Sequence, residues 1–300
     1  MGKKKIVLIG ASNSMLFNGL RAGLNQDNVE LTNLSLGGAS TLHILYEFLR
    51  FRNESIVIAA DLIILESNIV DIDHIIDLPD FKNLILRNIF LTYNELSKLN
   101  KKFLVLLLPY IKNDFKKNET INNAHRMCCN QYGFNCVDVQ SVYLKNNVMD
   151  FYMTMMPDKA HQLQRIMYEF GKNIANENFS LFKFSLPSSI DLDFKICSPK
   201  NDLQINEKIL NLKKNMFYKE YCFRVHKDIT ISLSRKNQNY KIIASHSWTD
   251  NGKKNPFKFY SSLIFLIMLI ILLKRVQLLH IMHLQQFMMI LLSETIVKFI

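Results

Sequence analysis

The sequence predicts an α/β protein, a three-layer sandwich in which a five-stranded parallel sheet carries helices on both faces. Over roughly the first 180 residues, short apolar runs rich in β-branched residues alternate with stretches whose apolar residues recur at helical spacing. The chain is 300 residues long and 49% hydrophobic, enough to bury a sizeable core and too apolar for a disordered chain. From about Ser180 the period drops to two, which marks a separate β-rich region.

Strands are predicted at 5–9, 30–34, 62–65, 103–108 and 135–139, and helices near 15–24, 41–51, 80–99, 121–132 and 161–176. The run KKFLVLLLPY is the apolar signature of a parallel strand buried on both faces and is too short to span a bilayer. Right-handed crossovers follow from the alternation, and ligands of such sheets sit at the carboxyl ends of the strands near a topological switch point. In the β-rich region Ile190, Leu192, Phe194 and Ile196 alternate with Asp191, Asp193 and Lys195, and Ile229, Ile231 and Leu233 repeat the pattern, as half-buried antiparallel strands do. The expected organisation is an α/β domain over 1–180, a β-rich accessory domain over 181–255 and an apolar tail over 256–300.

The first strand runs into Gly-Ala-Ser-Asn-Ser and then a helical pattern, which places Ser12 at a strand end beside the unpaired N–H groups of a helix start. Three readings of that junction stand: a nucleotide-phosphate loop, a nucleophile turn, or a helix cap supplied by Ser12, Asn13 or Ser14. The phosphate loops need a G-x-G-x-x-G or G-x-x-x-x-G-K-[ST] pattern, and only Gly10 is in place. The other strand ends add Gly37 and Gly38 in NLSLGGAS, Asn68 in ESN, and Asp158 with His161 in DKAH. Acyl transfer by serine needs these groups: Ser12 as nucleophile, His161 to take its proton, Asp158 to orient the imidazole, and the N–H groups of Ser12, Gly38 and the Asn68 side chain as oxyanion donors.

The set resembles the SGNH (GDSL-type) hydrolase family, in which Ser, Gly, Asn and His stand in four successive blocks and the Asp precedes the His as D-x-x-H. The matching residues are Ser12, Gly38, Asn68, Asp158 and His161, and the resemblance covers about 1–180. Two departures stand out: Ala11 occupies a position where the family often has Asp, and ESNIVD lacks the Gly before and the Asp after the Asn. The resemblance implies a serine esterase acting through an acyl-serine intermediate on an O-acyl ester, such as an acetyl group, of a carbohydrate or a small ester, with no cofactor and no metal. The alternatives are a sugar O-acyltransferase with the same site and a non-catalytic binding or assembly protein.

The remaining polar residues have plainer expected roles. His43, His74 and His125 are isolated and read as satisfied or solvated side chains, and Asp71 and Asp73 as loop residues with substrate hydroxyls as the second reading. Five cysteines without a C-x-x-C pair read as reduced structural thiols. The net charge of +11 is uneven, about +1 over 1–180 and +10 beyond, and lacks a nucleic-acid-binding motif, so no nucleic-acid partner is expected. The N-terminal apolar run is too short for a signal-peptide core, so the expected compartment is the cytoplasm. In the tail, the apolar run 263–273 falls short of the ~20 residues a transmembrane helix needs. Three readings remain for it: a docked helix, a peripheral membrane contact entered through Lys253, Lys254 and Lys258, or a shifted reading of AT-rich DNA, since Glu294 is the sole acidic residue from Pro256 onward.

Overall fold

The computed structural model describes residues 2–77, 82–110 and 115–197, and beyond them the segments 202–204, 210–214, 219–223, 232–233, 240–245, 261–264, 275–278 and 289–293. The chain divides into two compact units, Met1–Leu192 and Asp193–Ile300.

In the first unit, β1 (Lys4–Gly10), β2 (Val29–Asn33), β3 (Leu62–Glu66), β4 (Phe103–Leu107) and β5 (Asn135–Asp138) form one parallel sheet in the order β2-β1-β3-β4-β5. Ile6, Val7, Leu8 and Ile9 of β1, all of β3 and all of β4 are buried, as strands covered on both faces must be. Each such Leu, Ile or Phe contributes about 1.5–3 kcal/mol by leaving water. Chain direction across the sheet reverses between β1 and β3, whose register sets Gly10 opposite Glu66. The turn after β1 therefore opens at the switch point, level with the end of β3.

Helices α1 (Ser12–Met15), α2 (Leu20–Leu24) and α10 (Gln164–Asn176) lie together, with α2 packed on α10. A second group packs mutually: α3 (Thr41–Leu49), α4 (Phe51–Ala59), α5 (Asn68–Asp77), α6 (Lys82–Ser97) and α7 (Phe115–Tyr132). Two short helices, α8 (Val139–Lys145) and α9 (Met149–Met155), lead from β5 towards Asp158.

Several elements differ from the expectation. The single helix over 15–24 is two: Leu16 leaves helical geometry with ψ 130, and α2 starts afresh at Leu20 after the Asn18-Gly19 turn signal. Arg50, at φ −73 and ψ 118, breaks 41–51 into α3 and α4. The buried Arg50 guanidinium donates to Glu47 Oε1 at 2.9 Å, and Asn53 Nδ2 donates to Glu47 O at 2.9 Å, so polar groups at the break are satisfied. His161 precedes α10 instead of lying within it.

The first unit also runs past 180. Ser185 N donates to Lys101 O at 2.8 Å, Leu186 N to Tyr132 O at 2.7 Å, and the side chains of Asn94 and Lys98 donate to Ile190 O and Leu192 O. With those carbonyls taken, the chain at 190–192 joins no ladder, and strand β6 (Phe194–Cys197) begins only beyond it.

The second unit is β-rich. Strand β14 (Met289–Ser293) pairs antiparallel with both β6 and β11 (Tyr240–Ser245). The other antiparallel pairs are β8 (Leu210–Lys214) with β9 (Lys219–Phe223), β7 (Leu203–Gln204) with β10 (Ser232–Leu233), and β12 (Ser261–Ile264) with β13 (Arg275–Leu278). Ile229 and Ile231 lie outside the described residues. The described parts of the tail, β12, β13 and β14, are strand segments, so the docked-helix reading, one of the three, is not met among them. Among the described residues no helix is long and apolar enough to cross a membrane.

Candidate active site

The turn after β1 is built by close approach. A Cβ on Gly10 would stand 2.7 Å from Glu66 O and 2.9 Å from Glu66 Oε2, so only glycine fits. Ala11 N donates to both Glu66 O and Glu66 Oε2 at 3.0 Å, and Leu16 N closes α1 onto Ser12 O at 3.1 Å. No side chain caps α1. Ser14 Oγ turns inward to donate to Glu66 Oε2 at 2.9 Å, and Asn13 turns towards the chain around His161. Among the described residues the Ser12 hydroxyl has no hydrogen-bond partner, so the helix-cap reading of Ser12 is set aside.

Asp158 and His161 form a local pair. Asp158 Oδ1 accepts from Ala160 N and His161 N, each at 2.8 Å, which shapes the turn, and Asp158 Oδ2 lies 2.7 Å from His161 Nδ1. Burial pushes the Asp158 pKa up, but the hydrogen bonds from the imidazole and the two backbone N–H groups outweigh it and leave the carboxyl below its usual range. With Nδ1–H donated to Asp158, Nε2 of a neutral imidazole is the free acceptor.

The pair is tied to the Ser12 turn by Asn13, which is 1% exposed. Its Nδ2 donates to Ala160 O at 3.0 Å and its Oδ1 accepts from Gln162 N at 2.9 Å, so the neighbour of Ser12 grips the backbone on both sides of His161. Gln162, fully buried, donates to Pro109 O and accepts from Tyr152 OH at 2.8 Å, which anchors the same loop to the end of β4 and to α9. The structure contains no hydrogen bond between Ser12 Oγ and His161, as is common before a substrate is bound.

Gly38 has φ +71, a left-handed conformation in which a side chain is strained, and open space in front of it. Its loop is carried along the Ser12 turn: Leu36 N donates to Gly10 O at 3.0 Å, Gly10 N to Ser35 Oγ at 2.9 Å, and Asn33 Nδ2 to Ser14 O at 2.9 Å. Asn68 differs from the expectation. Its Nδ2 donates to Leu108 O at 2.9 Å and to Asn122 Oδ1 at 3.0 Å, its Oδ1 accepts from Leu108 N at 3.1 Å, and it is fully buried. Both amide protons are spent on joining β3 to β4 and α7, so Asn68 offers none to an oxyanion here.

Asp71 and Asp73 are corrected as well, since both lie in α5 and not in a loop, whereas His125 is a satisfied buried side chain as expected. Asp71 is buried in the first turn of α5, where Oδ1 accepts from Thr41 N at 3.1 Å and Oδ2 accepts from the Thr41 hydroxyl. Thr41 also bonds Ser67 Oγ at 2.7 Å, and His125, buried behind Asp71, pairs with it at 3.4 Å and with Tyr93 OH at 2.8 Å. The carboxylate thus holds the N-terminus of α3 and the Gly38 loop that feeds it. Asp73 accepts from Tyr110 OH. His43 is satisfied by Leu34 O, and burial lowers its pKa. Cys128, Cys129, Cys136 and Cys197 are free thiols.

Asn13 and Glu66 are the residues sequence reasoning missed. In the sequence Asn13 reads only as a helix cap, because its partners lie 147 and 149 positions away. Glu66 carried one signal, an acidic residue at the end of an otherwise apolar strand.

Neither a protein-family model nor a curated protein sequence matches the chain. Solved structures similar to it include LAE5, an α/β hydrolase enzyme from the metagenome of Lake Arreo, Spain, at 17% identity over 59% of this chain and 99% of that one, with a TM-score of 0.47. A catalytic mutant of Axe2, an acetylxylan esterase from Geobacillus stearothermophilus, is 14% identical over 60% of this chain and 97% of that one, with a TM-score of 0.47. The lipase Lip_vut3 from a goat rumen metagenome is 13% identical over 57% of this chain and 96% of that one, with a TM-score of 0.45.

Proposed function

We propose that the first unit is a serine ester hydrolase that removes an O-acyl group from a carbohydrate or a small ester through an acyl-Ser12 intermediate. The observation that carries this reading is the Asn13 grip, which joins a serine with an uncommitted hydroxyl to a loop bearing an Asp-oriented histidine. In this reading His161 Nε2 takes the Ser12 proton as Oγ attacks the acyl carbon, and the imidazolium formed is stabilised by Asp158. The negative charge on the carbonyl oxygen is met by the N–H groups of Ser12 and Gly38 alone, because the Asn68 amide is engaged elsewhere. Collapse expels the alcohol with the proton from His161, and water activated by the same imidazole releases the acid.

The test is a fluorophosphonate probe together with p-nitrophenyl acetate, butyrate and octanoate as substrates. Labelling of the wild type at Ser12, and losses in kcat of at least ~10³ for Ser12→Ala and for His161→Ala, are expected. The double variant is expected to be little worse than either, since the members of a triad act as one unit. Additive losses, or labelling that survives in Ser12→Ala, would remove the reading.

A further inference from the structure

We propose that Glu66 is a positioning residue for Ser12 and that it acts as the neutral acid, so that its ionisation switches the site off on the alkaline side. The inference rests on the reading of Ser12 as nucleophile. The Glu66 side chain is fully buried at the end of β3, and its Oε2 accepts from Ala11 N and Ser14 Oγ, the groups that flank Ser12 along the chain. The carboxyl therefore braces the turn that carries Ser12 from the buried side, where position 11 itself supplies only an alanine methyl. Glu66 Oε1 is buried without a hydrogen-bond partner.

The hydrogen-bond donors around Glu66 are all neutral, and among the described residues no cationic side chain is paired with it. The turn presents Ala11 N, Ser14 and the Asn13 amide, and the segment after β2 presents the Ser35 hydroxyl, which is bonded to Gly10 N. The titratable groups on the neighbouring elements are engaged elsewhere: Asp71 by Thr41 and His125, His43 by Leu34 O, and His161 by Asp158. Burial raises the pKa of Glu66 from 4.5 to about 7, against the smaller opposing pull of the hydrogen bonds from Ser14, Ala11 and Asn13.

The consequence for acyl transfer is electrostatic. Attack by Ser12 builds a negative charge on the turn, and a carboxylate held there by neutral donors alone opposes that charge through a dry interior. The imidazolium formed at the same moment already has Asp158 as its partner and gains less from a second carboxylate. Neutral Glu66 keeps its hydrogen bonds to the turn and removes the repulsion.

The experiment measures the rate of fluorophosphonate labelling against pH in the full chain, with the thermal unfolding midpoint recorded in parallel. Wild type is expected to show an alkaline limb from Glu66 ionisation. Glu66→Gln is expected to lose the alkaline limb and to label about tenfold faster than wild type one pH unit above the Glu66 pKa, where only about a tenth of that carboxyl remains protonated. Should Glu66→Gln fold poorly, Ser14→Ala provides the second reading: loss of the hydroxyl that stabilises the charged form is expected to move the alkaline limb to higher pH. The unfolding midpoint of wild type, but not of Glu66→Gln, is expected to fall between about pH 4.5 and 7, because a raised carboxyl pKa stabilises the fold below that window and the stabilisation is lost through it. An alkaline limb unchanged in Glu66→Gln, with labelling still abolished in Ser12→Ala, overturns the role of Glu66 and leaves the nucleophile standing. Labelling that survives in Ser12→Ala overturns the nucleophile, and the role of Glu66 with it.

Discussion

Asn13 is the residue on which the candidate site turns. Its amide satisfies one donor and one acceptor on the two residues flanking His161, and it is buried, so its removal leaves Gln162 N unpaired in the interior and takes a donor from Ala160 O. Asn13→Ala is expected to lower kcat for p-nitrophenyl acetate by about 10- to 100-fold with KM little changed, because a small misplacement of a base costs rate more than binding. Asn13→Asp should be as damaging, since a carboxylate accepts from Gln162 N but repels Ala160 O. Steady-state kinetics at one pH on both variants checks this, and an unaffected kcat in Asn13→Ala would show that His161 is placed without it. Asp158 and His161 were legible in the sequence because their contact spans three positions and is made by a turn. The work of Asn13 was not, because a side chain that bonds across 147 positions leaves no local pattern.

At the scale of elements, the two halves of the site are carried by helices that touch backbone to backbone. Gly23 of α2 and Gly171 of α10 face across that contact: a Cβ on Gly23 would collide with Tyr168 O, and one on Gly171 would collide with Leu20 O and stand 2.8 Å from Leu24 N. The chain bearing Ser12 continues into α2, and the chain bearing His161 continues into α10, so this crossing sets the separation of the two segments. Gly171→Ala is expected to destabilise the first unit by at least ~1–3 kcal/mol, as overpacking a close contact does. Calorimetry or thermal unfolding checks the loss, and fluorophosphonate labelling of the folded fraction should be slower as well. Both glycines stood inside helical patterns in the sequence, and nothing local distinguished a close crossing from an ordinary weak helix position.

For the whole molecule, the boundary at Leu192 and the strand pairing of the second unit decide where the chain tolerates a cut. The first unit owns the parallel sheet, its helices and the 182–192 segment, together with every residue of the candidate site. A chain ending at Leu192 is expected to fold and to keep the labelling rate of the full chain. A chain ending near residue 255 loses β14 from between β6 and β11 and leaves two unpaired strand edges. That variant should aggregate more than either the full chain or the shorter piece, which size-exclusion chromatography would read directly. Equal solubility of the two truncations would count against the pairing of β14.

What the sequence determined by itself is what short-range pattern encodes: apolar runs that become the five strands, a serine at the end of the first, and an aspartate placed to orient a histidine in the next turn. Residues adjacent in the chain meet whatever the fold, so such features survive without knowledge of distant partners. Tertiary structure alone decided which hydroxyl and which amide remain available. It spends Asn68 on β4 and α7, turns Ser14 inward, leaves Ser12 free and buries Glu66 against the same turn. Burial and hydrogen-bond satisfaction are properties of the folded surroundings, assembled from segments tens to more than a hundred residues apart, and no window along the chain contains them.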